Sequence, residues 1–240
     1  MKGVNIMDCK DLQKMENRNI SIITNFGCRA NCWYCIWKGH KLENVNPDTD
    51  WNKLEQFLEQ YKDKGKVSLS GGGDCLYKFE QHKDWWDRFL QLIEDKQLKL
   101  DIHTREKVDY LDPFWKTFFN RINRVVFSSD HLDIINQNIS CGKSRYCIPD
   151  RDYLVWLKDF TKVRVTHLVT KYTSFGMIED YIDFTQKYNM QFTIKHLVGY
   201  DDGYMYNLIL EKYPKLFHLD VGDYNIYYMP DNTIQTKFLF

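Results

Sequence analysis

The sequence predicts an α/β protein, a partial (βα)6 TIM-like barrel of parallel strands with a short C-terminal β-hairpin. Two observations carry that expectation. Short β-branched runs alternate with segments of helical period along the chain, the pattern of βαβ units and a parallel sheet. Six such strands precede the terminal hairpin. That is too few for a closed eight-stranded barrel, so an open, partial one is expected.

The elements follow in order. ISIIT (20–24) reads as the first strand, and the segment 48–65 as a helix in which Trp51, Leu54, Phe57, Leu58 and Tyr61 recur at i, i+3, i+4 spacing. Asp48 or Thr49 would cap its start and Gly65 its end. KVSLS (66–70) is the second strand, ending in glycines, followed by a helix at 84–95 and a strand at 98–103. A helix at 112–122 has Pro113 in its first turn, where a missing N–H is harmless. RVVFS (124–128) is the fourth strand. Then come a helix at 150–160, a strand at 162–170, a helix at 176–188, a strand at 191–198 and a helix at 204–213. The hairpin turns at Pro230, Asp231 and Asn232. The expected division is a core over 1–215 and, packed on it, the hairpin over 216–240.

Bulk composition excludes more than it assigns. The 240 residues suffice for a sizeable core. Lys+Arg and Asp+Glu are both 33, so no global charge attracts nucleic acid or an anionic membrane, and neither is expected as a partner. No apolar run reaches the ~18–20 residues of a membrane span. The N-terminal segment carries acids and lacks the apolar core of a secretory signal. A cytoplasmic location is therefore expected, with the seven cysteines mostly reduced.

Three of those cysteines set the problem. NFGCRANCWYCIWKGH (25–40) places Cys28, Cys32 and Cys35 at C-x3-C-x2-C spacing with no fourth cysteine nearby. A structural zinc site normally takes four ligands, often as two separated pairs, and would have to recruit His40, Cys9 or Cys75. A [4Fe–4S] cluster takes one thiolate per iron, so three cysteines leave one iron open for chemistry. In parallel α/β folds ligands gather at the C-terminal strand ends. That rule brings the cysteine loop, the turn Gly71-Gly72-Gly73-Asp74, the Ser128–Asp130 segment and the turn after Val198 to one face.

Cys28, Cys32, Tyr34 and Cys35 after the first strand, with the glycine-rich acidic turn after the second, resemble the radical S-adenosylmethionine (radical SAM) superfamily. The chain is similar to its minimal core, since no cysteine follows Cys147 to begin a cysteine-rich C-terminal extension. The resemblance implies that the three cysteines hold the cluster and that SAM chelates the unique iron. A reduced cluster then breaks the sulfonium to give a 5′-deoxyadenosyl radical, which takes a hydrogen from substrate. Gly71, Gly72, Gly73 and Asp74 would line the methionyl amino group, with Asp where the family has Glu. Ser128 and Asp130 would meet the ribose or carboxylate, Arg164 would pair with the carboxylate, and Val198 and Gly199 would contact adenine. Tyr34 would sit beside the nucleoside. An electron donor such as flavodoxin or ferredoxin is implied, and the reaction class is oxidoreductase or transferase.

No residue is assigned to the substrate chemistry. His103 and Thr104 end the third strand, Lys38 and His40 follow the cluster loop, and Cys141 and Cys147 lie in a loop after the fourth strand. A small molecule or nucleotide is the expected substrate. The alternatives are a peptide or protein side chain or, in a different class, a non-catalytic Fe–S or zinc module that senses or binds.

Overall fold

The computed structural model describes residues 20–30, 32, 34–35, 48–62, 65–70, 72–132, 150–196, 203–214, 218–219 and 226–235. In chain order the first elements are β1 (Ile20–Ile22), α1 (Trp51–Glu59), β2 (Lys66–Leu69), a short 3-10 helix (Phe79–His82), α2 (Lys83–Asp95) and β3 (Lys99–Thr104). Then come α3 (Pro113–Asn120), β4 (Arg124–Ser128), α4 (Asp150–Lys158), β5 (Lys162–Val169), α5 (Phe175–Lys187) and β6 (Gln191–His196). The last are α6 (Tyr204–Lys212), β7 (His218–Leu219), β8 (Ile226–Tyr228) and β9 (Ile234–Gln235).

The chain divides into two compact units: one holds the described residues within 1–28, 37–103 and 222–240, the other those within 29–36 and 104–221. In the first, the strand order is β3-β2-β1-β8-β9. Every pairing there is parallel except the β8–β9 hairpin, where Tyr228 faces Ile234. All three residues of β1 are buried, the mark of a strand covered on both faces. The expected hairpin is present, and β8 lies parallel to β1 in the register Ile20↔Ile226 and Ile22↔Tyr228.

Helix α1 of this unit starts where its cap dictates. Asp50 accepts a hydrogen bond from the Lys53 backbone N–H, so α1 begins at Trp51 rather than at 48 as the sequence suggests. Leu54, Phe57 and Leu58 form its buried stripe. Asn232, in the hairpin turn at φ +62°, holds the same helix end from outside. Its Oδ1 accepts from the Asp50 N–H at 2.8 Å and from the Tyr228 hydroxyl at 3.0 Å, while its Nδ2 donates to the Asp48 carbonyl at 3.0 Å.

In the second unit the order is β7-β6-β5-β4, all parallel. β7 is not expected from sequence: two residues have no periodicity, and they are a strand because they pair with Ile194 and Lys195. Asp112 caps α3 through the Phe114 N–H with Pro113 in the first turn, as anticipated. Ser174 caps α5 through the Met177 N–H.

A buried polar network sits at the C-terminal end of β4. Lys107 and Asp150, both almost fully buried, pair at 2.6 Å, and the other Asp150 oxygen accepts from Ser129 Oγ at 2.8 Å. Tyr181 donates to Ser129 at 3.0 Å, and burial pushes its phenol well above the ordinary range. His167 Nδ1 donates to the Ser129 carbonyl at 3.2 Å, which leaves Nε2 to accept from the Thr173 hydroxyl at 3.0 Å. Every buried charge here is paired, which is the condition for tolerating it.

Candidate active site

The glycine turn after β2 is built by close backbone approach within the first unit. Gly72 and Gly73 have φ of +62° and +99°, a region that side chains rarely adopt. A Cβ on Gly72 would lie 1.2 Å from the Thr24 carbonyl oxygen, and one on Gly73 would lie 2.1 Å from that of Gly27. Gly73 and Gly27 form an isolated parallel bridge, and the Asp74 N–H donates to the Gly27 carbonyl at 2.7 Å. The turn is thereby stitched to the residue that precedes Cys28. Asp74 is buried, and its Oδ1 accepts from the Leu76 N–H at 3.0 Å, so one carboxylate oxygen shapes the turn itself.

Cys75 differs from the other thiols. Its side chain is buried, its Sγ donates to the His103 carbonyl at 3.3 Å, and burial pushes its pKa well above the ordinary range. Trp86 Nε1 donates to the Cys75 carbonyl at 3.2 Å. This is a structural thiol. Cys28, Cys32 and Cys35 are each part-exposed, and none of these four cysteines is in a disulfide.

In the second unit Cys32, Tyr34, Arg105 and Asp130 come together. The Tyr34 hydroxyl donates to Asp130 Oδ1 at 3.2 Å. Arg105, the residue after β3, spreads its guanidinium between two partners: Nη2 to Asp130 Oδ2 at 2.9 Å and Nη1 to Cys32 Sγ at 3.5 Å. Cys35 closes the short loop through its backbone N–H to the Cys32 carbonyl at 3.2 Å. Arg29, between the first two cysteines, pairs with Glu106 at 3.3 Å.

Ser128 ends β4, half-buried and opposite Thr166 in register. Arg164 is not brought to this group. It is the third residue of β5, near that strand's N-terminal end, and its Nε donates to Gln191 Oε1 at 3.1 Å. The resemblance suggested Arg164 for the carboxylate, whereas in parallel α/β folds ligands gather at C-terminal strand ends. Arg105 is the guanidinium beside the cysteine loop. In the sequence it is marked only by its place directly after His103 and Thr104 at the end of a strand. Thr104 is buried, with its hydroxyl accepting from the Glu106 N–H at 3.0 Å. Gly71, Val198, Gly199, Lys38, His40, Cys9, Cys141 and Cys147 lie outside the described residues.

No protein-family model and no curated protein matches the sequence. Solved structures do match. Streptococcus suis SuiB bound to S-adenosylmethionine is 17% identical at a TM-score of 0.63, over 91% of this chain and 59% of SuiB. The protein anSMEcpe with bound AdoMet and Cp18Cys peptide is 10% identical at a TM-score of 0.63, over 92% of this chain and 75% of that one. Methylornithine synthase (PylB) is 9% identical at a TM-score of 0.53, over 87% and 66%. All three are radical SAM enzymes.

The chain has the radical SAM fold. That fold is the α/β, mostly parallel, partial TIM-like barrel with an antiparallel terminal hairpin that the sequence predicts. The chain spans 59% of the length of SuiB. Within the radical SAM fold, no helix among the described residues is long and apolar enough to cross a membrane. Among the described residues, no three His, Cys, Asp or Glu side chains converge tightly enough to hold a single metal ion.

Proposed function

We propose that the chain is a radical SAM enzyme in which Cys28, Cys32 and Cys35 hold a [4Fe–4S] cluster, with a peptide or protein side chain as substrate. The observation that carries this reading is three part-exposed, disulfide-free thiols on the loop after β1 of a radical SAM fold. The donor set suits the group. A cluster takes one thiolate per iron and so asks for no convergence on a single centre, and three thiolates leave one iron for SAM. Bound together, cluster and SAM supply a 5′-deoxyadenosyl radical that takes hydrogen from the substrate.

The chain's own residues bind and orient. The stretch Gly71–Asp74 would line the methionyl amino group of SAM, with Asp74 where the family has Glu. Ser128 and Asp130 would meet the ribose or carboxylate, and Val198 and Gly199 would contact adenine. Tyr34 and Asp130 fix each other's orientation. A one-electron donor of the flavodoxin or ferredoxin class belongs to the same proposal, as does a core over 1–215 carrying the hairpin over 216–240.

The substrate class follows the neighbours: SuiB has been solved with precursor peptide SuiA and anSMEcpe with Cp18Cys peptide. The small molecule or nucleotide expected from sequence gains no support from these peptide complexes. The test is anaerobic reconstitution with iron and sulfide, then dithionite and SAM. We expect 5′-deoxyadenosine from the wild type and none from C28A, C32A or C35A. A fully loaded wild type that leaves SAM intact overturns the proposal.

A further inference from the structure

We propose that Arg105 is a tuning residue of the iron–sulfur centre: its guanidinium, aimed by Asp130, raises the reduction potential through Cys32. The inference rests on the radical SAM reading above and adds a role for a residue outside the cysteine motif. Arg105 holds Cys32 Sγ with one Nη at 3.5 Å and Asp130 with the other at 2.9 Å. Asp130 is held in turn, its second oxygen accepting from the Tyr34 hydroxyl at 3.2 Å. The Arg105 and Asp130 side chains are 20% and 16% exposed, so water screens the contact only in part. Behind Asp130, Ser129 is locked by Asp150, Tyr181 and His167, which fixes where the carboxylate begins.

Reduction by one electron from an external donor adds negative charge that the thiolate sulfurs share. Hydrogen bonds to the sulfurs and nearby charge set the potential of such clusters. A guanidinium keeps its proton at any working pH, and its planar fork serves two acceptors at once. Lysine brings the charge without the fork. The Tyr34–Asp130–Arg105 chain therefore positions a permanent cation on one cluster ligand and favours the reduced state.

The test needs neither SAM nor turnover. Reconstituted protein is titrated anaerobically with dithionite, and the reduced fraction is read by electron paramagnetic resonance. R105Q is expected to lower the reduction equilibrium constant about tenfold, which is about 59 mV for one electron. R105K is expected to shift in the same direction by less. R151Q, which removes a cation from α4, is expected to stay at the wild-type potential. A loaded R105Q at the wild-type potential overturns the proposal. So does loss of cluster in R105Q with R105K unshifted, which marks Arg105 as scaffold only. A wild type that takes up no iron and sulfide overturns the radical SAM reading and this inference together, and that result shows before any variant is titrated.

Discussion

A methyl group added at Gly72 would have to share space with the Thr24 carbonyl oxygen, and the backbone there sits at positive φ as well. Both penalties fall on rigid main chain, so Gly72→Ala is expected to cost about 3 kcal/mol or more, read as a fall in the urea midpoint. Thiol chemistry separates at the same scale. In cluster-free folded protein at neutral pH, iodoacetamide is expected to label Cys28, Cys32 and Cys35 well before Cys75, whose thiolate is disfavoured by burial. Equal labelling of Cys75, followed by peptide mapping, would contradict the packing described around it. The three cysteines and the glycines were legible because their spacing is local. Arg105 was not, because the partner that gives it meaning, Cys32, is 73 residues away in the chain.

Most helices and long strands were read to within a few residues, since amphipathic period is written in the segments themselves. The exception is the end of α1, expected at Gly65 but reached at Glu59 with Gln60 as the cap. The shortfall at the start of α1 is a capping effect: the N–H groups of Lys53 and Leu54 already bond back to Asp50. β7 was invisible because pairing alone makes it a strand. Nor did the sequence reveal that the hairpin turn clamps α1. Asn232 ties together Asp48, Asp50 and Tyr228, and its side chain also suits the positive φ it adopts. Asn232→Ala removes three hydrogen bonds and is expected to lower stability by about 2 kcal/mol. Asn232→Asp, which keeps the acceptor but loses the donor to Asp48, is expected to fall between. Calorimetric melting of both variants checks the order.

At the scale of the whole molecule, the buried His167 and the part-buried His82 set the pH response. Burial pushes His167 below its ordinary 6.5, and the Ser129 carbonyl and Asp130 oppose the shift only in part. His82 is lowered for the same reason, with Lys78 adding to it. The unfolded chain thus binds protons that the folded one refuses. Stability is full above about pH 6.5 and is lost as pH falls from there toward the folded values. Glu59 and Glu179, lowered from 4.5 chiefly by hydrogen bonds from Lys96 and Tyr213, lose their contribution only at more acid pH. Melting temperature is expected to be level above about pH 7 and to decline as pH falls below about 6.5. In His167→Gln that decline is expected to be shallower, and an unchanged slope would remove His167 from the account.

One consequence of the β1–β8 pairing concerns time. β1 is the first described strand to leave the ribosome, and its neighbour β8 follows after about 200 residues of chain, or roughly 10–40 s of synthesis. Through that interval the β8-facing edge of Ile20–Ile22 has no strand to receive it. A chain stopped before β8 keeps that edge bare, a template for pairing with other chains. Nascent chains arrested between β7 and β8 should therefore be the ones that holdase chaperones retain, and release should follow the emergence of Ile226–Tyr228.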